Sequence, residues 1–198
     1  MASPTYNAPI PVTAPTRLRA ATFVDARAIS PELDRRIDPA GAERRMSQEL
    51  TLCTNKVALN LDGQNAAQQG QPYLVDVMNP CWIWRQADVA RFNELHVAVT
   101  RLPFNFQIGA DAAKIVLHPP STPAGELEVR ADGCDGAPIA RLSLGPALRS
   151  NGVTVIAGKL PPLAGPHDLC LSFTARKLDP MWVLAWAELG PSSPEHAP

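Results

Sequence analysis

An all-β fold, an antiparallel sandwich of the jelly-roll kind, is predicted by two alternating stretches and the turns between them. In GELEVRADG, Leu127 and Val129 alternate with Glu128 and Arg130; in HDLCLSF, Leu169, Leu171 and Phe173 alternate with Cys170 and Ser172. Successive strand side chains point to opposite faces, so both stretches read as half-buried strands. DGCDG (132–136), LGPALRSNG (144–152) and PPLAGPH (161–167) are dense in Gly, Pro, Asn and Asp. They make turns too short to hold a crossover helix, which leaves antiparallel neighbours. The 21 prolines and only 6% aromatic residues suit a loop-rich β protein.

A chain of 198 residues can bury one good core, or one core and a partial second unit. It is shorter than a glycosidase barrel of about 250 residues. Eighteen basic against 19 acidic residues give a net charge of -1 with no long run of one sign, so nucleic acid is not an expected partner. No apolar run approaches the roughly 20 residues of a membrane span, so a membrane is not one either. The opening MASPTYNAPIP lacks the basic and apolar regions of a secretion signal; an exported parent would carry its signal upstream of this chain.

In chain order, residues 1–30 read as extended segments behind a proline-rich start, with alternation at Leu18 and Ala20. Residues 31–49 are charged without apolar periodicity and read as a linker, with Arg35, Arg36, Arg44 and Arg45 on a solvated face. The sandwich is expected over 50–190, followed by a disordered tail, 191–198. Its first hairpin joins VALNL (57–61) to YLVDV (73–77) through the small, polar, mobile loop 62–72. If Leu61 faces Tyr73, carrying that register outward along both strands sets Cys53 opposite Cys81, at a separation a disulfide can span. Cys134 and Cys170 are then the remaining pair. The alternative is four buried free thiols packing as small hydrophobes. With no CxxC among them, the four do not read as a zinc site, and no metal is expected from them.

Trp82 and Trp84 share one face of the next strand, and Leu95, Val97 and Val99 share one face of the one after. At least one of the tryptophans is expected in the core. FNFQIG and AAKIVL read as an inserted hairpin turning at Gly109 to Asp111, with Phe104 and Phe106 covering the sandwich or facing a partner. Trp182 and Trp186 read as one shared face of the last strand.

The order PAGELEVRADGCDGAPIARLSL, GPHDLCLSF, DPMWVLAWAEL resembles the C-terminal half of the family 6 group of carbohydrate-binding modules. NPCWIW (79–84), LPFNFQIG (102–109) and GPHDLCLSF together are similar to the C-terminal region of some bacterial family 20 glycoside hydrolases, the β-N-acetylhexosaminidases. PVTAPTRLRAATFVDARAIS (11–30) resembles the strands that end the small β domain behind their barrel. The resemblance implies an accessory domain of an exported enzyme, periplasmic or secreted. Its partners would be GlcNAc-containing glycans such as chitin oligosaccharides and the parent's catalytic domain; a structural role, including homodimerisation, is the alternative. Family 20 enzymes act through an adjacent Asp-Glu pair, and this chain has no Asp-Glu dipeptide. No catalytic residue is therefore expected, and Asp132 and Asp135 are read as turn residues, with the four histidines structural.

Sugar binding needs rings that stack on pyranose faces and polar groups that bond hydroxyls. The resemblance places a polar contact in the loop entering the last strand, Lys177 to Trp182. Asp179 is the expected acceptor, Lys177 a donor and Trp182 a platform, with Tyr73 and Trp84 as further aromatic candidates. No cofactor is expected. A structural calcium would, by the same resemblance, use Glu49 and Glu188, but Ala185 stands where an Asp or Asn is often found.

Overall fold

The alternating stretches are strands in the computed structural model, which describes residues 16–25, 27–29, 33–37, 43–63 and 72–190. Most of loop 62–72, the tail 191–198 and the first 15 residues lie outside this set. The chain divides into Met1–Ala42 and Glu43–Pro198. In the first unit, β1 (Thr16–Ala20), β2 (Phe23–Val24), β3 (Arg27–Ala28) and β4 (Leu33–Ile37) form nested antiparallel pairs, β1 with β4 and β2 with β3. β4 lies in the stretch read as a linker. The misreading has a physical cause: LDRRI has no apolar alternation, and its pairing with TRLRA is a matter of backbone hydrogen bonds.

The second unit contains β5 (Glu43–Met46), β6 (Thr51–Leu52), β7 (Ala58–Leu61), β8 (Tyr73–Asp76), β9 (Cys81–Ala87), β10 (Glu94–Leu102), β11 (Glu126–Ala131), β12 (Ala140–Ser143), β13 (Thr154–Lys159), β14 (His167–Phe173) and β15 (Met181–Gly190). One sheet has the order β13-β10-β15-β5 and the other β12-β11-β14-β9-β6, with β7-β8 as a separate hairpin. Every paired strand is antiparallel, and the core lies between the sheets. Leu127, Val129, Leu169, Leu171, Leu95, Val97 and Val99 are all fully buried there.

The sandwich starts at β5, inside the expected linker. Arg44 is exposed, as a solvated face requires, with its guanidinium 3.9 Å from the Trp186 ring centre; Arg45 is only half-exposed, its guanidinium 5.6 Å from Trp84. A cation over an aromatic face gains both electrostatics and cover for its stem, which explains an edge strand without an apolar stripe. Residues 103–117 do not form a hairpin; Gly109–Lys114 is a 3-10 turn. Phe104 and Phe106 pack edge to face, with ring centres 5.3 Å apart, and lie half-buried against the core.

Trp182 and Trp186 do not share a face. Leu184 is opposite Val99 and Trp186 opposite Ala98, so Ala185 is an extra residue that bulges the strand and reverses its parity. Trp182 thus packs inward, its ring 6.0 Å from that of Phe173, while Trp186 sits on the outer face under Arg44.

The sheets come very close at Gly158 on β13. An added Cβ would lie 2.8 Å from Cγ of the buried Leu142 on β12. In an open strand Gly→Ala would gain about 0.5–1 kcal/mol from backbone entropy, but here a branched carbon must move. Gly158→Ala is therefore expected to destabilise the sandwich by about 1–2 kcal/mol in urea unfolding.

Candidate functional site

The register carried out from the first hairpin holds. Leu61 faces Tyr73, and the same register continues through Leu52 opposite Trp82 to a 3.2 Å hydrogen bond from the Cys53 N–H to the Cys81 carbonyl. Disulfides join Cys53 to Cys81, with Cα atoms 5.5 Å apart, and Cys134 to Cys170, 5.4 Å apart. The second ties the DGCDG turn to β14 and covers the outer face of the five-stranded sheet. That face is buried too, against the expectation of a wet one: Glu128, Arg130 and Ser172 are each less than a tenth exposed. Arg130 donates to Glu128 at 2.6 Å, to Ser172 Oγ at 3.0 Å and to the Gly136 carbonyl at 3.0 Å, and Arg141 donates to the other oxygen of Glu128. Burial works against the Glu128 charge, but the two guanidiniums outweigh it and hold the carboxyl below its usual range.

His167 opens β14 and bonds Asp132 through Nδ1 at 2.7 Å, with Nε2 3.2 Å from the Ala164 carbonyl. The Asp132 hydrogen bond is the main cause that raises the imidazole above its ordinary value. This contact stabilises the turn while His167 is charged and is lost as pH rises through the raised value. Asp132→Asn should therefore bring the His167 titration down in pH, read by NMR of the ring protons. Unchanged titration would show that the pair is not formed in solution.

The expected sugar residues are divided by the segment that enters β15. Lys177 and Trp182 border an apolar crevice with Phe104, Ile115 and Phe173. Asp179 borders a groove of about 420 Å³ with Thr100, Arg101, Ser150, Asn151 and Pro180. Asp179 is exposed, and its Oδ1 accepts the Phe104 N–H at 2.9 Å. Arg101 donates to the Leu148 and Ser150 carbonyls, fixing the loop that carries Asn151. A carboxylate, a guanidinium and an amide around one concavity can donate to and accept from vicinal hydroxyls.

None of the three expected rings serves as a platform. Trp182 is only 9% exposed, with Phe173 on one side and the Arg101 guanidinium 5.7 Å away. Tyr73 and Trp84 are corrections: both are fully buried in the core, so neither offers a face to a ligand. Their strands alternate inward at these positions, and packing sets them there even though the Tyr73 hydroxyl and the Trp84 ring N–H find no partner. Arg101 and Asn151 escaped the sequence reading because β10 and the 144–152 turn become neighbours only through the β10–β13 pairing. The one signal was that turn's exposed polar character.

Among the described residues, the group with metal-ligand spacing is the four cysteines. Glu188 is instead ion-paired with Arg44 at 2.7 Å, and Glu49 accepts the Met46 N–H, so neither carboxylate is arranged for calcium.

The sequence matches no protein-family model and no curated protein. Its fold is similar to that of a family 6 carbohydrate-binding module from Clostridium cellulolyticum in complex with xylose, with a TM-score of 0.51 and 14% identity over 75% of this chain and 96% of that one. It is also similar to a family 6 module whose binding sub-sites were dissected by crystallography and calorimetry, with a TM-score of 0.50 and 12% identity over 76% and 94%. At such identities the likeness is one of fold, and it establishes an antiparallel β-sandwich of the family 6 carbohydrate-binding-module kind.

Proposed function

We propose that this chain is a non-catalytic accessory domain that binds a glycan in the groove between Arg101, Asn151 and Asp179. The observation that carries the reading is that groove itself, a polar concavity of about 420 Å³ where β10, the 144–152 turn and the entry to β15 converge. The solved sandwiches of this fold, described in complex with xylose or by dissection of binding sub-sites, support the ligand class. Catalysis is not part of the proposal. The neighbours of this fold are themselves described as carbohydrate-binding modules.

GlcNAc-containing oligosaccharides are the proposed ligand, and an exported β-N-acetylhexosaminidase the proposed parent, with residues 1–30 belonging to the end of its preceding β domain. The first two rest on the NPCWIW, LPFNFQIG and GPHDLCLSF resemblance and the third on that of PVTAPTRLRAATFVDARAIS. The two disulfides support an oxidising, extracytoplasmic setting. A specific observation favours a second reading. Val116 and Leu117 are 57% and 40% exposed beside the half-buried Phe104. That apolar strip would dock on the catalytic domain or a second copy.

Titration with N-acetylchitooligosaccharides, with cello- and xylo-oligosaccharides alongside, tests the first reading by NMR. Saturable binding that shifts Asn151 and falls at least about tenfold in Asp179→Asn is expected, that being the loss of one charge-assisted hydrogen bond. No binding of any of these glycans at millimolar ligand would sink it. The second reading then predicts that Leu117→Asp weakens self-association or capture of the catalytic domain.

A further inference from the structure

The four cysteines stand far apart in sequence, at 53, 81, 134 and 170, yet their sulfurs all lie within 4.8 Å of one another. Between the two disulfides, Cys81 Sγ is 3.3 Å from Cys170 Sγ and 3.5 Å from Cys134 Sγ, and Cys53 Sγ is 3.4 Å from Cys134 Sγ. A zinc ion with four thiolates at about 2.3 Å in tetrahedral array has sulfur–sulfur edges of about 3.8 Å. Three of the four edges between the pairs already approach that value. The main change needed is separation of the two bonded pairs.

We propose that, when its disulfides are reduced, the chain holds one divalent zinc ion on Cys53, Cys81, Cys134 and Cys170. Each disulfide takes two electrons and two protons, giving two thiols: a thiol reductant supplies both and becomes a disulfide, whereas a phosphine supplies the electrons and becomes the phosphine oxide, with water giving the protons and the oxygen. Binding of one Zn²⁺ then releases four protons and leaves a tetrathiolate of net charge -2. The surroundings suit it. Cys81 and Cys170 are buried, at 4% and 1% exposure, which keeps water from the bound sulfurs. Cys53 and Cys134 are partly exposed and give the ion and the reductant a way in. Arg130, ion-paired with the buried Glu128, lies directly across from Cys170 on the same sheet face. The ligands come from four segments: the end of β6, the start of β9, the 132–136 turn and the middle of β14. The ion would thus hold the edge of the five-stranded sheet and its covering turn as the disulfides do.

The full chain, reduced by a phosphine and kept anaerobic, is titrated with Co²⁺ and then Zn²⁺. One Co²⁺ per chain, with the intense visible bands and sulfur charge-transfer absorption of a tetrahedral tetrathiolate, is expected, displaced by one Zn²⁺. Cys53→Ser and Cys134→Ser should each lower the affinity by at least about 100-fold, since each removes a ligand. The Zn²⁺-loaded reduced chain should show the strand circular dichroism of the oxidised one, whether or not the metal-free reduced chain unfolds. Absence of cobalt bands, octahedral cobalt, or an affinity that either serine variant leaves unchanged would overturn the proposal.

Discussion

Replacing Asp76 by alanine is expected to lower the unfolding free energy by about 3–5 kcal/mol, because one buried carboxylate closes two loops at once. Asp76 ends β8 with no exposed surface. Its oxygens accept the N–H groups of Lys56 at 3.0 Å, Val57 at 3.1 Å and Met78 at 3.0 Å, and the Thr54 hydroxyl. Burial pushes its pKa up, but the four donors prevail and the carboxyl titrates below its ordinary value. Alanine would leave three backbone donors around a vacated acceptor, each costing about 1–3 kcal/mol if water cannot reach it. Asp76→Asn retains one acceptor oxygen and should lose less. Urea unfolding of the disulfide-intact chain measures both, with the slope against urea unchanged if only stability is affected. A loss under about 1 kcal/mol for alanine would mean that the Cys53–Cys81 bond and packing hold these loops without the carboxylate.

What the sequence made legible follows from which forces act locally. The strands around Val129 and Leu171 announce themselves because one face must be apolar. The Cys53–Cys81 bond follows from a register that persists from β7–β8 into β6–β9, since pairing advances one residue on each strand. The strands β4 and β5 were illegible because their charged sequences carry no apolar alternation, and β5 in addition pairs with the far end of the chain. β5 finds its apolar cover in Arg44 and Arg45 laid over tryptophans, a pairing no period can reveal. The bulge at Ala185 was equally silent. It changes the meaning of an i, i+4 pair without a glycine or proline to mark it.

The site shows the same division. Asp179 was visible as a polar residue in a loop entering a tryptophan strand, and the structure places it on a groove. The aromatic platforms expected at Trp182, Tyr73 and Trp84 are buried. A sandwich with few rings uses Trp82, Trp84 and Tyr73 to fill its core, and Trp182 to close one end of it. A glycan held in this groove would rest on hydrogen bonds with little stacking, and polar groups already solvated by water yield small net gains. Weak, millimolar-range affinity is the physical expectation for one sugar unit, and longer chains would gain by adding contacts along the groove.

Acid should uncouple the 121–126 turn from Thr174 through Glu126. This residue begins β11 at 3% exposure, and its carboxylate accepts the Thr122 N–H at 2.7 Å, the Ser121 N–H at 3.1 Å and hydroxyl at 3.0 Å, and the Thr174 hydroxyl at 3.0 Å. Burial alone would raise the carboxyl; these donors overcome it and bring it from 4.5 to about 2. The folded value lies below the unfolded one, so the unfolded chain binds the proton first. The stabilisation is fully present above about pH 4.5 and is lost as pH falls through about 2. Glu126→Ala at neutral pH is expected to cost about 2–4 kcal/mol, the loss of a charged acceptor shared by several donors. Glu126→Gln, which cannot titrate, should lose less stability than the wild type between pH 5 and pH 2, although Asp76 and Glu128 leave it a residual slope of the same sign. Denaturant midpoints across that window decide the matter. If wild type and Glu126→Gln fall in parallel, the carboxylate is not charged and bonded as described. If the curves converge toward pH 2 and amide exchange at Ser121 and Thr122 quickens in Glu126→Ala, the anion holds the 121–126 turn to Thr174, whose strand leads directly to Asp179.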